Sequence, residues 1–257
     1  MTFNTIATKT APERSVQEMW SEYCNLLIET GRPGVKRLLN WMQSDMGNGT
    51  LNFVNAPAST RFHGAYPGGL IEHSLHVYGR LVWIMSQENS LRKESERLTS
   101  EESAQVLNSC IIVALLHDLC KCGFYIEAWR NQKVYAANGS REDPGGRFDW
   151  QTVREYKVLD SHCFGHGAAS LEIAQRFLGV NGLTEEEKYA IRYHMGDFVN
   201  ERETGTVYNR FPLATMLHMA DMAATYLDER NCGNELGEFW DNLNAFARPS
   251  NVKQANT

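Results

Sequence analysis

The segment from Ile111 to Gly123 reads "IIVALLHDLCKCG". Six consecutive apolar residues, Ile111 to Leu116, run directly into His117, Asp118 and, shortly after, Lys121. A buried helix that finishes in polar groups must satisfy them, because an unpaired buried carboxylate costs several kcal/mol or more. Two further polar groups stand on apolar faces. His73 shares a stripe with Leu70, Val77, Leu81 and Ile84. Asp221 lies one turn from Leu217 and Ala224, beside the face made by Leu213, Leu217, Ala220, Ala224 and Leu227. Taken singly, each has an ordinary explanation: a hydrogen-bonded core histidine, or for Asp221 an ion pair with His218 one turn earlier. Taken together they fit one chemistry. A divalent cation accepts lone pairs from neutral His and ionised Asp, so it can satisfy groups brought in by several helices at once. His117 and Asp118 stand about 100° apart around a helix. They do not point the same way, but both can flank an ion placed near the helix end.

The elements that must carry these groups read mostly as helix. "SVQEMWSEYCNLLIETG" has Met19, Tyr23, Leu26 and Leu27 at helical spacing and stops at Gly31. "GVKRLLNWMQSD" is a shorter helix, and "NFVNAPASTRFHGAYPGG" is a loop rich in Pro, Gly, Ser and Asn. "LIEHSLHVYGRLVWIMSQEN" is a long helix. "EESAQVLNSCIIVALLHDL" is apolar nearly all round and so is expected at the centre. The stretch from Phe124 to Asp160 breaks the pattern. Turn signals at Asn138-Gly139 and Pro144-Gly145-Gly146 lie among aromatic and β-branched residues, which predicts a small β-hairpin or flap over 124–160. Helices resume with "GHGAASLEIAQRFLG", then "LTEEEKYAIRYHM", opened by a Thr184/Glu187 capping box, then "FPLATMLHMADMAATYLDER".

Composition bounds the function. The chain has 257 residues, 42% of them hydrophobic, and a net charge of -6, enough for a real core in one large domain or two small ones. An acidic chain is a poor general binder of long nucleic acid, whose affinity rests on many Lys/Arg contacts to phosphate. No unbroken run of ~18 apolar residues occurs, so no membrane span is expected. The first residues are polar and lack the apolar centre of a signal peptide, so the cytoplasm is the expected compartment. Cys24, Cys110, Cys120, Cys122, Cys163 and Cys232 show no paired C-x-x-C spacing and read as reduced thiols.

The order His73, then His117-Asp118, then Asp221 resembles the HD-domain superfamily of metal-dependent phosphohydrolases. "YPGGLIEHSLHV" and "ALLHDLCKCG" are similar to that family's "GGLLEH" helix start and "LLHDIGK" helix end, with Cys120 where many members carry Gly. The resemblance covers roughly residues 62–227. It implies an all-α HD-domain bundle with the β-hairpin as an insertion. Residues 1–60 would be N-terminal helices packed on the core, 61–248 the core itself, and 249–257 a loose tail. It also implies a dinuclear site. His73, His117 and Asp221 would hold one ion, Asp118 would bridge, and His166 in "FGHGAAS" and His194 in "AIRYHMGDF" would hold the second, with His162 as an alternative to His166. His76 and His218 would support the ligands or belong to the core.

One or two divalent ions are therefore expected, manganese or iron first, with magnesium, zinc, nickel or cobalt as alternatives. Phosphate ester hydrolysis by such a site needs an activated water and charge neutralisation on phosphoryl oxygens, which paired metals supply. The resemblance gives catalytic roles to Asp118 and Lys121, with Lys121 reaching a substrate phosphate. The alternative for Lys121 is a cation that stabilises the helix C-terminus. His63 and Arg61, in the loop before the His73 helix, and Arg130 and Lys133, in the flap, are candidates for substrate contact. The expected substrate is a mononucleotide, cyclic nucleotide, short oligonucleotide or other small phosphate ester. The same six ligands would also serve a di-iron oxygenase, and a binding module that has lost catalysis is a third reading. Neither the oligomeric state nor the exact substrate follows from these residues.

Overall fold

Three helices begin at a capping box, in which a hydroxyl and a Glu three residues on each accept from the other's backbone. Ser15 and Glu18 open α1 (Val16–Glu29), Thr99 and Glu102 open α4 (Ser100–Leu116), and Thr184 and Glu187 open α6 (Glu185–Tyr193). The computed structural model describes residues 12, 14–159, 164–196 and 202–229. The remaining helices are α2 (Val35–Met42), α3 (Gly69–Leu91), α5 (His166–Leu178), α7 (Thr204–Arg210) and α8 (Pro212–Ala223). A π-helical turn over Ala224–Asp228 follows α8 directly. His162 and the tail 249–257 lie outside the described residues.

The fold is mainly helical around one core. All of Cys110 to Leu116 is buried, so α4 is the central helix that its all-round apolar sequence predicts. By length and composition the stretch Ser100–Lys121 could cross a membrane, but most of it is buried inside the protein. α3 packs on α4 and α8, α6 packs on α5 and α8, and α1 and α2 cover α3, α4 and α5. α7 went unread in the sequence, because "TGTVYNR" carries little apolar periodicity.

The insertion is a three-stranded antiparallel sheet rather than the expected hairpin. β1 (Tyr125–Tyr135) pairs along its whole length with β3 (Gly146–Val158), and β2 (Arg141–Asp143) adds to the outer edge of β3, in the order β1-β3-β2. The chain reverses at Pro144-Gly145, between β2 and β3, while the turn at Asn138-Gly139 carries it from the β1 edge of β3 to the opposite edge without a net reversal, so β1 and β2 run in the same direction. One face of the sheet carries Trp129, Lys133 and Tyr135 opposite Arg154, Trp150 and Phe148. Lys133 lies over the Phe148 ring at 4.4 Å, and Arg154 over Trp129 at 5.7 Å. The base of the sheet is tied to the loop before α3, since Leu51 N–H donates to Tyr125 O at 2.8 Å and Gly123 N–H to Leu51 O at 2.9 Å.

The expected apolar face of the last helix is interrupted. Leu213, Leu217, Ala220 and Ala224 are buried, but Leu227 is 52% exposed. The π turn inserts a residue and rotates the chain beyond Ala224 out of the α-helical phase.

One close approach sets the spacing at the centre. A Cβ on Gly167, the second residue of α5, would lie 1.9 Å from the Arg192 carbonyl oxygen in the last turn of α6. Only glycine lets those two backbones touch. Gly167→Ala is expected to destabilise the fold by roughly 1–3 kcal/mol through overpacking. Gly205→Ala, where a Cβ meets nothing within 4 Å, should be neutral or stabilising by up to ~1 kcal/mol. Urea unfolding of both variants checks the contrast.

Candidate metal centre

Histidines stand at helix ends around the core. His117 is the C-cap of α4 and His194 the C-cap of α6. Each places its Nδ1 on the carbonyl oxygen three residues back, His117 on Ala114 at 2.8 Å and His194 on Ile191 at 2.7 Å. Such carbonyls lack partners at a helix end, and a carbonyl only accepts. Both rings therefore donate through Nδ1–H. His73, inside α3, meets Glu229 Oε1 with its Nδ1 at 2.9 Å. Burial would raise the Glu229 pKa, but His73 outweighs it and holds the carboxyl well below its usual range. Glu229 is thus an acceptor too, and His73 also donates through Nδ1.

All three Nε2 atoms then turn to one space. His73 Nε2 lies 3.3 Å from His117 Nε2 and 3.2 Å from Asp221 Oδ1. Asp118 Oδ2 lies 3.3 Å from His117 Nε2 and 3.7 Å from His73 Nε2, while Asp118 Oδ1 lies 3.7 Å from His194 Nε2. Asp118 reaches this space because the helix breaks there. Its backbone, at φ -109° and ψ 24°, has left the helix and sits toward the bridge region common in active sites. That break resolves the 100° offset from His117.

Two neutral imidazoles with Nδ1–H committed present only lone pairs at Nε2. Lone pairs 3.3 Å apart repel unless a positive charge lies between them. In the metal-free protein that charge is a proton. Burial would lower the His73 pKa, but Glu229 and the Asp221 hydrogen bond outweigh it and raise it to about 10. A metal fits the same place. Ligand atoms ~2.1 Å from one ion, at tetrahedral or octahedral angles, stand roughly 3.0–3.4 Å apart. The observed 3.2 and 3.3 Å fall in that range. His194 Nε2 is buried with no hydrogen-bond partner among the described residues. Burial first, then His117, lowers its pKa to about 4, so it is a free lone pair at neutral pH.

Donor atoms within 4.8 Å of one another form overlapping groups. His73, His117 and Asp221 make one, His117, Asp118 and His194 another, and Asp118, Cys120 and His166 a third. The six residues expected as ligands thus come to one centre, with Asp118 common to two groups. The division differs from the expected one, since His194 groups with His117 rather than with His166. Cys120, read from the sequence as a reduced thiol, joins His166, with Sγ 3.1 Å from Nδ1.

Of the other expected residues, Lys121 and His63 touch this group. Lys121 Nζ donates to Asp118 Oδ2 at 2.6 Å and to Ala58 O at 2.7 Å. Burial would raise the Asp118 pKa, but Lys121 and His117 outweigh it and hold the carboxyl well below its ordinary value. The His63 ring lies 5.1 Å from that of His73, and burial, then His73, lowers its pKa to about 4. Arg61 is exposed, 4.0 Å from Glu155 on β3, and Arg130 reaches the same carboxylate at 3.3 Å. Lys133 points away from this group, to Asp143 and the aromatic face. His218 is not the partner of Asp221: its Nδ1 lies 2.7 Å from the His194 carbonyl oxygen, where it donates and pins the turn after α6.

Glu229 was missed. It falls just beyond the region of family resemblance and on no helical stripe, so no spacing pointed to it. It also holds His76, at 3.2 Å. A carboxylate that fixes the ring of a ligand histidine raises its basicity and sets its tautomer.

Fold and site together define a mainly helical protein with a buried His/Asp cluster able to hold a metal ion, compatible with an HD-like site. No family model matches the chain, and no curated protein and no solved structure matches it.

Two outcomes follow from the His73 environment. A divalent ion must displace the proton that His73 holds, so binding near neutral pH should release at least about one proton, and affinity should rise roughly tenfold per pH unit from pH 6 to 8. Calorimetry in buffers of different ionisation enthalpy measures this. Glu229→Gln should weaken metal binding by roughly 10- to 100-fold, read by chelator competition.

Proposed function

We propose that the protein is a metal-dependent phosphohydrolase acting on a nucleotide, cyclic nucleotide, short oligonucleotide or similar small phosphate ester. The observation that carries this reading is the convergence of three imidazole Nε2 atoms on Asp118 and Asp221, with every Nδ1 already committed to an acceptor. Such a donor set fits divalent ions such as manganese, iron or zinc. Bound there, the ions would supply an acidified water and charge neutralisation on the phosphoryl oxygens.

The chain's own residues take these parts in the reading. His73, His117 and Asp221 bind one ion, and Asp118, shared between two donor groups, bridges toward a second. Lys121 has three N–H donors. Asp118 and Ala58 take two, and the third serves a phosphoryl oxygen. His63 is neutral near pH 7 and contacts substrate as a hydrogen-bond donor. Arg61 and Arg130, gathered on Glu155, attract the anionic substrate to the rim. The net charge of -6 disfavours a long nucleic acid and favours a small ligand met by these few local cations.

Asp118→Ala should lower manganese-dependent phosphate or nucleoside release by roughly three orders of magnitude or more, because it removes a ligand shared between donor groups. Lys121→Ala should lower the rate about 10²-fold through lost charge stabilisation while metal content stays unchanged. Metal analysis alongside a screen of phosphate esters tests both. Full activity in metal-loaded Asp118→Ala sinks the mechanism, and loss of metal in Lys121→Ala makes Lys121 a support for Asp118 instead. Oxygen uptake with iron(II), without phosphate release, would assign the centre to an oxygenase.

A further inference from the structure

One of the donor groups contains a thiol. Cys120 is fully buried, two residues after Asp118 in the 3-10 turn Leu119–Lys121. Its Sγ lies 3.1 Å from His166 Nδ1, and one ligand atom from each of Asp118, Cys120 and His166 lies within 4.8 Å of the others. The placement is built by packing. Cys120 N–H donates to Ser170 Oγ at 3.1 Å, which ties the turn to α5, the helix that opens with His166. Gly167 locks the start of α5 against α6, so the imidazole is set from both sides. Phe124 packs edge-on against the His166 ring at 5.7 Å. Neither spacing nor family resemblance assigned Cys120 a part in the centre.

We propose that Cys120 is a thiolate ligand of a second divalent ion, held together with His166 and Asp118, and that this position selects thiophilic ions of the zinc or iron(II) kind. The inference rests on reading the buried cluster as a metal centre. A sulfur ~2.3 Å and a nitrogen ~2.1 Å from one ion stand roughly 3.1–3.6 Å apart at octahedral to tetrahedral angles, and the observed separation is 3.1 Å. The sulfur–metal bond forms as the S–H bond breaks, and the proton leaves to solvent. A thiolate favours soft and borderline ions over magnesium. The two positions then differ in kind: the His73, His117 and Asp221 group offers only nitrogen and oxygen, while the Cys120 group adds sulfur. Unlike ions can therefore occupy them.

The test is a cobalt(II) titration of the metal-free full-length chain, followed by absorption. A strong near-ultraviolet thiolate-to-cobalt band should grow with one equivalent of metal. Cys120→Ser should lose that band and bind that equivalent at least roughly tenfold more weakly, while it keeps the visible bands of the other bound cobalt. X-ray absorption of the zinc-loaded, unaltered protein should show a sulfur neighbour at ~2.3 Å, and it decides the question even if the variant does not fold. Cobalt bound without the band, zinc without a sulfur neighbour, or a band that persists in Cys120→Ser overturns the assignment. In those cases metal loss in Asp118→Ala would leave the proposed hydrolytic centre standing. No cobalt uptake at all overturns the metal centre and the thiolate with it.

Discussion

The centre of this protein depends on a repulsion. Two imidazole nitrogens face each other at 3.3 Å, and each ring has its Nδ1–H committed to an acceptor. That arrangement stands only with a positive charge between the rings. Asp118 and Asp221 border the same space, Glu229 holds His73 from its other nitrogen, and among the described residues the ammonium of Lys121 is the one Lys or Arg charge paired with these three carboxylates. Three negative charges against one leave a deficit of about two positive charges in a buried site, where charges are weakly screened. Protons can supply part of it. A divalent cation supplies all of it at once, and it uses the lone pairs that a proton can satisfy only singly.

The fold meets this requirement by ending helices at the centre. α4 and α6 each finish in a histidine whose Nδ1–H caps the carbonyl three residues back. One bond thus closes a helix end and fixes a tautomer. The cost of bringing polar groups into the core is offset where the helix would otherwise leave a carbonyl without a partner. Lys121 then joins the site to its surroundings, since its bonds to Asp118 and to Ala58 hold the loop before α3 against the end of α4. The same loop pairs with the base of the sheet and carries His63 and Arg61. The β insertion is therefore anchored to the rim of the centre.

Much of this was legible in the sequence, and for physical reasons. His73 and Asp221 stood out because each interrupts an apolar stripe, and His117-Asp118 because six apolar residues deliver it. A mostly helical chain with a β insertion followed from periodicity and turn residues. The reversal was legible at Pro144-Gly145-Gly146, but that Arg141–Asp143 pairs on the edge of β3 opposite β1 depends on long-range pairing that a local pattern does not fix. Cys120 was read as a reduced thiol because nothing in its spacing shows that α5 will bring His166 to it. The grouping of His194 with His117 depends on how the end of α6 packs on α4, which lies equally outside local sequence.

Glu229 shows why some of a site escapes periodicity. In an unbroken α-helix the residue seven after Asp221 lies within about 20° of it. That residue is Asp228. The π turn over Ala224–Asp228, closed by Glu229 N–H to Ala224 O at 3.0 Å, inserts one residue, so that Glu229 takes the place Asp228 would have had. Both carboxylates are then used. Glu229 meets His73, and Asp228 meets Arg80, seven residues further along α3 on the face that carries His73. Two ion pairs two turns apart clamp the end of the last helix onto α3. A regular helix would have offered α3 one carboxylate at this level, and the wide turn offers two. The turn costs hydrogen-bond regularity, which is why such turns persist mainly where a site uses them. Here the gain is a candidate ligand histidine whose outer nitrogen is held by a carboxylate and whose inner nitrogen is left for the centre.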